Sequence, residues 1–174
     1  MIITSLAVGP IMANCFIVGC EETRAAAVID PGDEADRILL ALADARLTVT
    51  QIINTHGHFD HVGANARLKK ATGAPISVHA LDAPMLTQLS RMAAMWGMSA
   101  ENSPAPDRLI DEGDRIVAGN ITFRVIHTPG HTPGGVSLLF MLFGVGRSLA
   151  RWRAASVAEL KPHKIDGTMA FMVE

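Results

Sequence analysis

Tyrosine is absent and aromatic side chains make up only 5% of the sequence, so there is no run of stacking surfaces for single-stranded nucleic acid. Residues 1–140 also lack a long basic stripe, and 15 Lys and Arg against 17 Asp and Glu leave a formal charge of -2. No nucleic-acid partner is expected from this balance. Cysteine is nearly as scarce: Cys15 and Cys20 are too few and too close together for a disulfide framework, which points to a reducing cytoplasm. The longest apolar run, Val136 to Gly146, falls well short of the roughly 20 residues that cross a bilayer. Met1-Ile2-Ile3-Thr4 has no basic segment leading into a long apolar core, so no secretory signal is expected either.

What is present suits one domain: 174 residues, 49% of them hydrophobic, are enough to bury a core. Short apolar runs at 2–8, 14–19 and 25–29, split by Gly9-Pro10 and by the charged turn Glu21 to Arg24, read as strands. Ala35, Ile38, Leu39, Leu42 and Ala45 recur with a helical period over Glu34 to Arg46. Residues 49–54 and 76–78 read as further strands, Val62 to Thr72 as a helix stopped by Gly73, and 136–140 as a buried strand. Asn120 to Ile126 alternates as a half-buried strand does, after a polar turn at Asp111 to Asp114. Met85, Leu89, Met92 and Trp96 form a stripe at helical spacing, expected to pack on the core. Beyond residue 141 the composition changes, with a helix plausible over Ser148 to Leu160.

The chemistry is concentrated in Thr55-His56-Gly57-His58-Phe59-Asp60-His61, which follows the apolar run Gln51 to Asn54. Three of the chain's seven histidines and one carboxylate lie within it, a density that a merely polar loop does not call for. Imidazole binds zinc or iron well, and a carboxylate completes a borderline site, so the loop can supply ligands to one or two ions. Its place after a strand is where open α/β sheets usually carry their chemistry. A second loop, His127 to Gly135, sets two imidazoles in a backbone stiffened by two prolines and opened by three glycines.

Several segments together resemble the metallo-β-lactamase-fold hydrolases, in the branch similar to hydroxyacylglutathione hydrolase (glyoxalase II). They are Asn14-Cys15, Val28-Ile29-Asp30-Pro31-Gly32, the His-x-His-x-Asp-His core within Thr55 to Ala64, Asp111-Glu112-Gly113-Asp114, and His127 to Leu138. The resemblance implies an α/β (α+β) fold, a four-layer αββα sandwich with its second half incomplete or divergent. Residues 1–140 would form the metallo-β-lactamase-like domain, and 141–174 a divergent tail packed on it or replacing part of it. It further implies that His56, His58 and His131 hold one metal, while Asp60 and His61 face a second. By the same carry-over His127 is a loop residue, and both it and His79 are structural. Three imidazoles with one open position are what a catalytic zinc keeps, with its water brought to a pKa of about 7. Asp60 is the expected catalytic group, orienting that water or taking its proton.

The chain departs from the family pattern after His131. The Gly-Asp-Thr-like segment whose Asp bridges the two metals is not visible, nor is the strand ending in a last metal-binding His. Asp166 and His163 are the only later residues of those types, and neither stands in such a setting. One ion is therefore expected firmly and a second weakly or not at all. Zinc is the first choice, with iron or manganese accepted according to supply. The expected activity is hydrolysis of a thioester or related acyl bond by a metal-bound hydroxide, on a small-molecule substrate. A second reading stays open, a truncated, metal-binding but catalytically impaired member of the fold that acts through interactions. The missing segments would also leave strand 136–140 with an unpaired edge, which a second copy of the chain would cover.

Overall fold

The computed structural model describes residues 1–141, 161–165 and 168–173. It has two sheets packed face to face. The first has six strands in the order β1 (Ile2–Val8), β2 (Ala13–Gly19), β3 (Ala25–Ile29), β4 (Thr48–Ile53), β5 (Ile76–His79) and β6 (Arg108–Ile110). β1 to β3 pair antiparallel, and β3 to β6 pair parallel. Parallel neighbours need crossovers, and helices α1 (Ala35–Asp44), α2 (Phe59–Val62), α3 (Asn65–Thr72), α4 (Ala83–Leu86) and α5 (Leu89–Ala94) lie within them. The second sheet runs β10 (Lys161–Ile165), β11 (Thr168–Val173), β9 (Val136–Met141), β8 (Ile121–His127) and β7 (Arg115–Ala118), all antiparallel.

Strand periodicity explains the two cores. Alternate residues of β2 and β3 point to opposite faces, so Phe16, Val18, Ala27 and Ile29 meet Ile116, Phe123, Val125, Leu138 and Phe140 between the sheets. Cys15, Ile17, Ala26 and Val28 face the other way, onto Ile38 and Leu42 of α1, Leu68 of α3, Leu86 of α4 and Leu89 of α5. The first sheet is buried on both sides, which is why its strands read as unbroken apolar runs. All described helices pack on its outer face. The layers seen among the described residues are thus helix, sheet, sheet.

Three expectations change. Strand 136–140 is not an edge: β9 lies between β8 and β11, with Leu138 opposite Val173 and Met141 opposite Ala170. The helix expected over Val62 to Thr72 is two pieces, α2 and α3, separated at Gly63-Ala64. The break accompanies a close crossing with the β3–α1 turn, where a Cβ on Gly32 would fall 1.7 Å from the Asp60 carbonyl oxygen. The stripe ending at Trp96 does not pack as a unit, because α4 ends at Leu86 and α5 starts at Leu89. Leu86, Leu89 and Ala93 take the buried positions, and Trp96 is left 74% exposed. Strands β6 and β7, three and four residues long, flank the 111–114 turn and are too short to show a period. The helix expected over Ser148 to Leu160 lies outside the described residues.

Phe123 is fully buried against Phe140, with ring centroids 5.2 Å apart. Phe123→Ala is expected to cost about 3–5 kcal/mol in urea unfolding of the metal-free protein. Val117→Ala, on the exposed side of β7, should change stability by less than about 0.5 kcal/mol.

Candidate metal centre

The site lies at the carboxyl ends of β3 and β4, which pair parallel with Ile29 beside Ile53. This register sets Asp30 beside Thr55. Asp30 is buried, with a left-handed backbone at φ 51°. Its Oδ1 accepts the Thr55 backbone N–H at 2.7 Å and its Oδ2 accepts the Thr55 hydroxyl at 2.5 Å. Thr55 has one hydroxyl proton, and the carboxylate takes it. The 3.1 Å contact between Thr55 Oγ1 and His56 Nδ1 must therefore be donated by the imidazole. His56 is fixed with its proton on Nδ1 and a lone pair on Nε2, and Nε2 is buried without a hydrogen-bond partner among the described residues.

His58 precedes α2, and its Nδ1 stands 3.0 Å from Nε2 of His131, delivered by the Pro-Gly loop between β8 and β9. The three rings stand nearly perpendicular, with centroids 4.6 to 5.0 Å apart. One nitrogen from each of His56, His58 and His131 lies within 4.8 Å of the others. Burial, reinforced by His61, pushes the His56 pKa down to about 4. Burial and the neighbouring His131 lower that of His58, against the opposing pull of Asp60 and Asp82. His56 and His58 are thus neutral at pH 7, the state in which an imidazole ligates a metal. The donor set, the neutrality and the unpartnered buried nitrogen all fit a divalent ion.

His61 lies between two carboxylates, one of them the expected neighbour Asp60. Its Nδ1 lies 3.2 Å from Asp30 Oδ2, and its Nε2 lies 3.5 Å from Asp60 Oδ2. The second convergence of ligand atoms among the described residues is Asp30, His56 and His61, without Asp60. Asp30 was missed as a site residue because its approach to Thr55 depends on strand pairing. The Asp-Pro-Gly at the end of a strand was the available signal. Asn54, also missed, holds the loop from beneath: its Nδ2 donates to the His61 carbonyl at 3.3 Å, and its Oδ1 accepts from Asn65 at 2.9 Å. The backbone of His163 lies in β10 opposite Ala170, and Asp166 is outside the described residues.

The family model for the metallo-beta-lactamase superfamily matches residues 8–141. The chain belongs to the metallo-beta-lactamase superfamily. Among its relatives are a hydroxyacylglutathione hydrolase of Rhodospirillum rubrum, 40% identical over 125 residues, and hydroxyacylglutathione hydrolase GloC of Haemophilus influenzae, 34% identical over 128 residues. Each alignment takes in 72% of this chain, but only 42% and 60% of the respective relative. Of solved structures, TTHA1623 in a di-iron-bound form is similar with a TM-score of 0.71 and 33% identity, covering 87% of this chain and 78% of that one. The B3 metallo-beta-lactamase BLEG-1 is similar with a TM-score of 0.72 and 29% identity, covering 79% and 66%. A second family model, the homogentisate 1,2-dioxygenase C-terminal, matches residues 117–174. Residues 142–174 therefore lie outside the superfamily match.

Another His-Asp-His group is built differently from the metal centre of this superfamily member. His79 and His127 stack at 4.3 Å with planes 9° apart, so their in-plane lone pairs cannot converge on one ion. His79 Nδ1 accepts from the Leu81 N–H at 3.2 Å, while its Nε2 faces Asp111 at 3.3 Å. His127 Nε2 donates to the Pro133 carbonyl at 3.0 Å. Both imidazoles are thus hydrogen-bonded within the protein, although one ligand atom from each of His79, Asp111 and His127 lies within 4.8 Å of the others.

The lowered pKa of His56 has a consequence for stability. The unfolded chain takes up this proton near pH 6.5, whereas the folded one resists until about 4. The melting temperature of the metal-free protein is expected to fall between those values as pH drops, and His56 should add no further loss below about 4. Calorimetry of wild type beside His56→Gln, which removes that proton uptake, measures the contribution.

Proposed function

We propose that the chain is a metal-dependent hydrolase acting on a thioester or related activated acyl bond of a small molecule in the cytoplasm. The observation that carries this reading is the convergence of His56, His58 and His131 around a buried imidazole nitrogen that no group among the described residues satisfies. Leaving such an atom unpaired costs about 1–3 kcal/mol, and an ion bound at these three nitrogens would remove that cost. The names of the Rhodospirillum and Haemophilus relatives favour a hydroxyacyl thioester of glutathione. Zinc suits three imidazoles, and the di-iron form of TTHA1623 makes iron the second candidate. The chain spans about half the length of those hydrolases, so the activity is a proposal for these residues alone.

When bound, a divalent metal supplies a Lewis acid for the acyl carbonyl and lowers the pKa of water. The protein does the rest. His56, His58 and His131 would hold the ion as neutral donors, with Thr55 keeping His56 in the required tautomer. Asp60, partly exposed and 3.5 Å from His61, accepts the proton that the attacking water loses. The same proton passes to the departing thiolate as the carbon–sulfur bond breaks, leaving a carboxylic acid and a thiol. His61, between Asp30 and Asp60, orients the Asp60 carboxylate. The cavity of about 480 Å³ beside His56, His61 and His131 gives the acyl group access.

A second reading, a metal-binding member with impaired catalysis, is favoured by one observation. The superfamily match ends at residue 141, before the segments that complete a two-metal site in the family.

Metal-loaded protein is expected to hydrolyse a hydroxyacyl thioester of glutathione in a chelator-sensitive way. Asp60→Asn should lower kcat by about 10²- to 10⁴-fold with little loss of metal, since it removes only the proton acceptor. His58→Ala should lose metal and activity together. Hydrolysis that ignores chelator would overturn the proposal, and one bound ion without turnover would select the second reading.

A further inference from the structure

Asp82 belongs to neither histidine loop. It lies between β5 and α4, is fully buried, and forms no ion pair with Lys or Arg among the described residues. Its two oxygens are nonetheless divided between the two loops that carry the metal-centre histidines. Oδ2 accepts the backbone N–H of Gly57, the residue between His56 and His58, at 3.0 Å. Oδ1 accepts the backbone N–H of Gly134, in the loop that presents His131, at 2.8 Å. One loop follows a strand of the first sheet and the other joins two strands of the second. A single carboxylate therefore ties together the ends of two separately formed sheets.

The local geometry is tight enough to transmit position. The Asp82 N–H donates to the His79 carbonyl at 3.0 Å, and its carbonyl accepts the Met85 N–H at 2.9 Å, so its own backbone is anchored on both sides. A Cβ on Gly134 would lie 2.7 Å from Asp82 Oδ1 and 2.8 Å from its backbone nitrogen. The loop can come this close only because residue 134 is glycine. Two N–H donors arriving from different directions require two acceptor oxygens. An amide at position 82 would meet one of them with its own NH₂.

We propose that Asp82 is a positioning residue: it clasps the His56–His58 loop to the His131 loop and so sets the spacing of the three imidazoles and their affinity for metal. Both of its oxygens are engaged, so it acts through the loops and not as a ligand. This inference rests on the reading of His56, His58 and His131 as a metal centre.

The test compares wild type, Asp82→Asn, Gly134→Ala and a control, Asp107→Asn. Asp107 holds the Ile76 N–H and Lys69 away from the site, so its loss should lower stability without touching the loops. Zinc affinity is read by competition with a chromophoric chelator, ligand geometry by the visible absorption of the cobalt(II) form, and folding by melting of the metal-free protein. Asp82→Asn is expected to weaken zinc binding about 10- to 100-fold and to change the cobalt spectrum. Asp107→Asn should keep both at wild-type values despite a lower melting temperature. Gly134→Ala keeps the carboxylate but forces the loop away, and should reproduce the loss if Asp82→Asn does not fold. Wild-type affinity and spectrum in folded Asp82→Asn would overturn the clasp, as would an equal loss in Asp107→Asn. Wild type that binds neither ion would overturn the metal-centre reading itself, and the clasp with it.

Discussion

The hydrogen-bond chain from Asp30 through Thr55 to His56 is the constraint on which the site depends. Each proton in it has one destination: the backbone and hydroxyl protons of Thr55 go to Asp30, and the Nδ1 proton of His56 goes to Thr55. The imidazole cannot exchange tautomers without leaving a buried group unsatisfied, at a cost of about 1–3 kcal/mol. The left-handed backbone at Asp30 belongs to the same arrangement. Strain of this kind persists where surrounding bonds over-determine it, and both Asp30 oxygens are so bound.

The two-sheet architecture gives this arrangement its rigidity and its openness. β3 and β4 lie inside the first sheet, buried on both faces, so the loops at their ends start from well-fixed points. The His131 loop starts from the second sheet. Its connection to the first includes the Val136 N–H donated to the Thr55 carbonyl at 2.9 Å, and the Asp82 carboxylate. Between these ties the space above the imidazoles opens into a cavity lined by Thr128, Thr132 and Ser137 as well as the histidines.

Local features were legible in the sequence and non-local ones were not. The first strands, α1, and the alternation of Ile121, Phe123 and Val125 depend on neighbours along the chain, and they appear close to where periodicity places them. His56, His58 and His61 lie within six consecutive residues, so their proximity needs no knowledge of the fold. Asp30 reaches the site through the parallel register of β3 and β4, which no local pattern encodes. Asp82 carries no motif at all. Its meaning arises only when Gly57 and Gly134 meet across it. The Trp96 stripe misled because spacing was counted through a break between α4 and α5 that leaves no mark in hydrophobic period. The unpaired edge expected at 136–140 failed for a related reason: its second partner, β11, comes from a stretch where composition had lost its pattern.

The fixed tautomer of His56 also bears on stoichiometry. His56 belongs to both convergences of ligand atoms, with His58 and His131 on one side and with Asp30 and His61 on the other. With Nδ1 committed to Thr55, only one lone pair remains to serve both. A single nitrogen cannot donate to two ions at once, so His56 can serve only one of the two groups at a time.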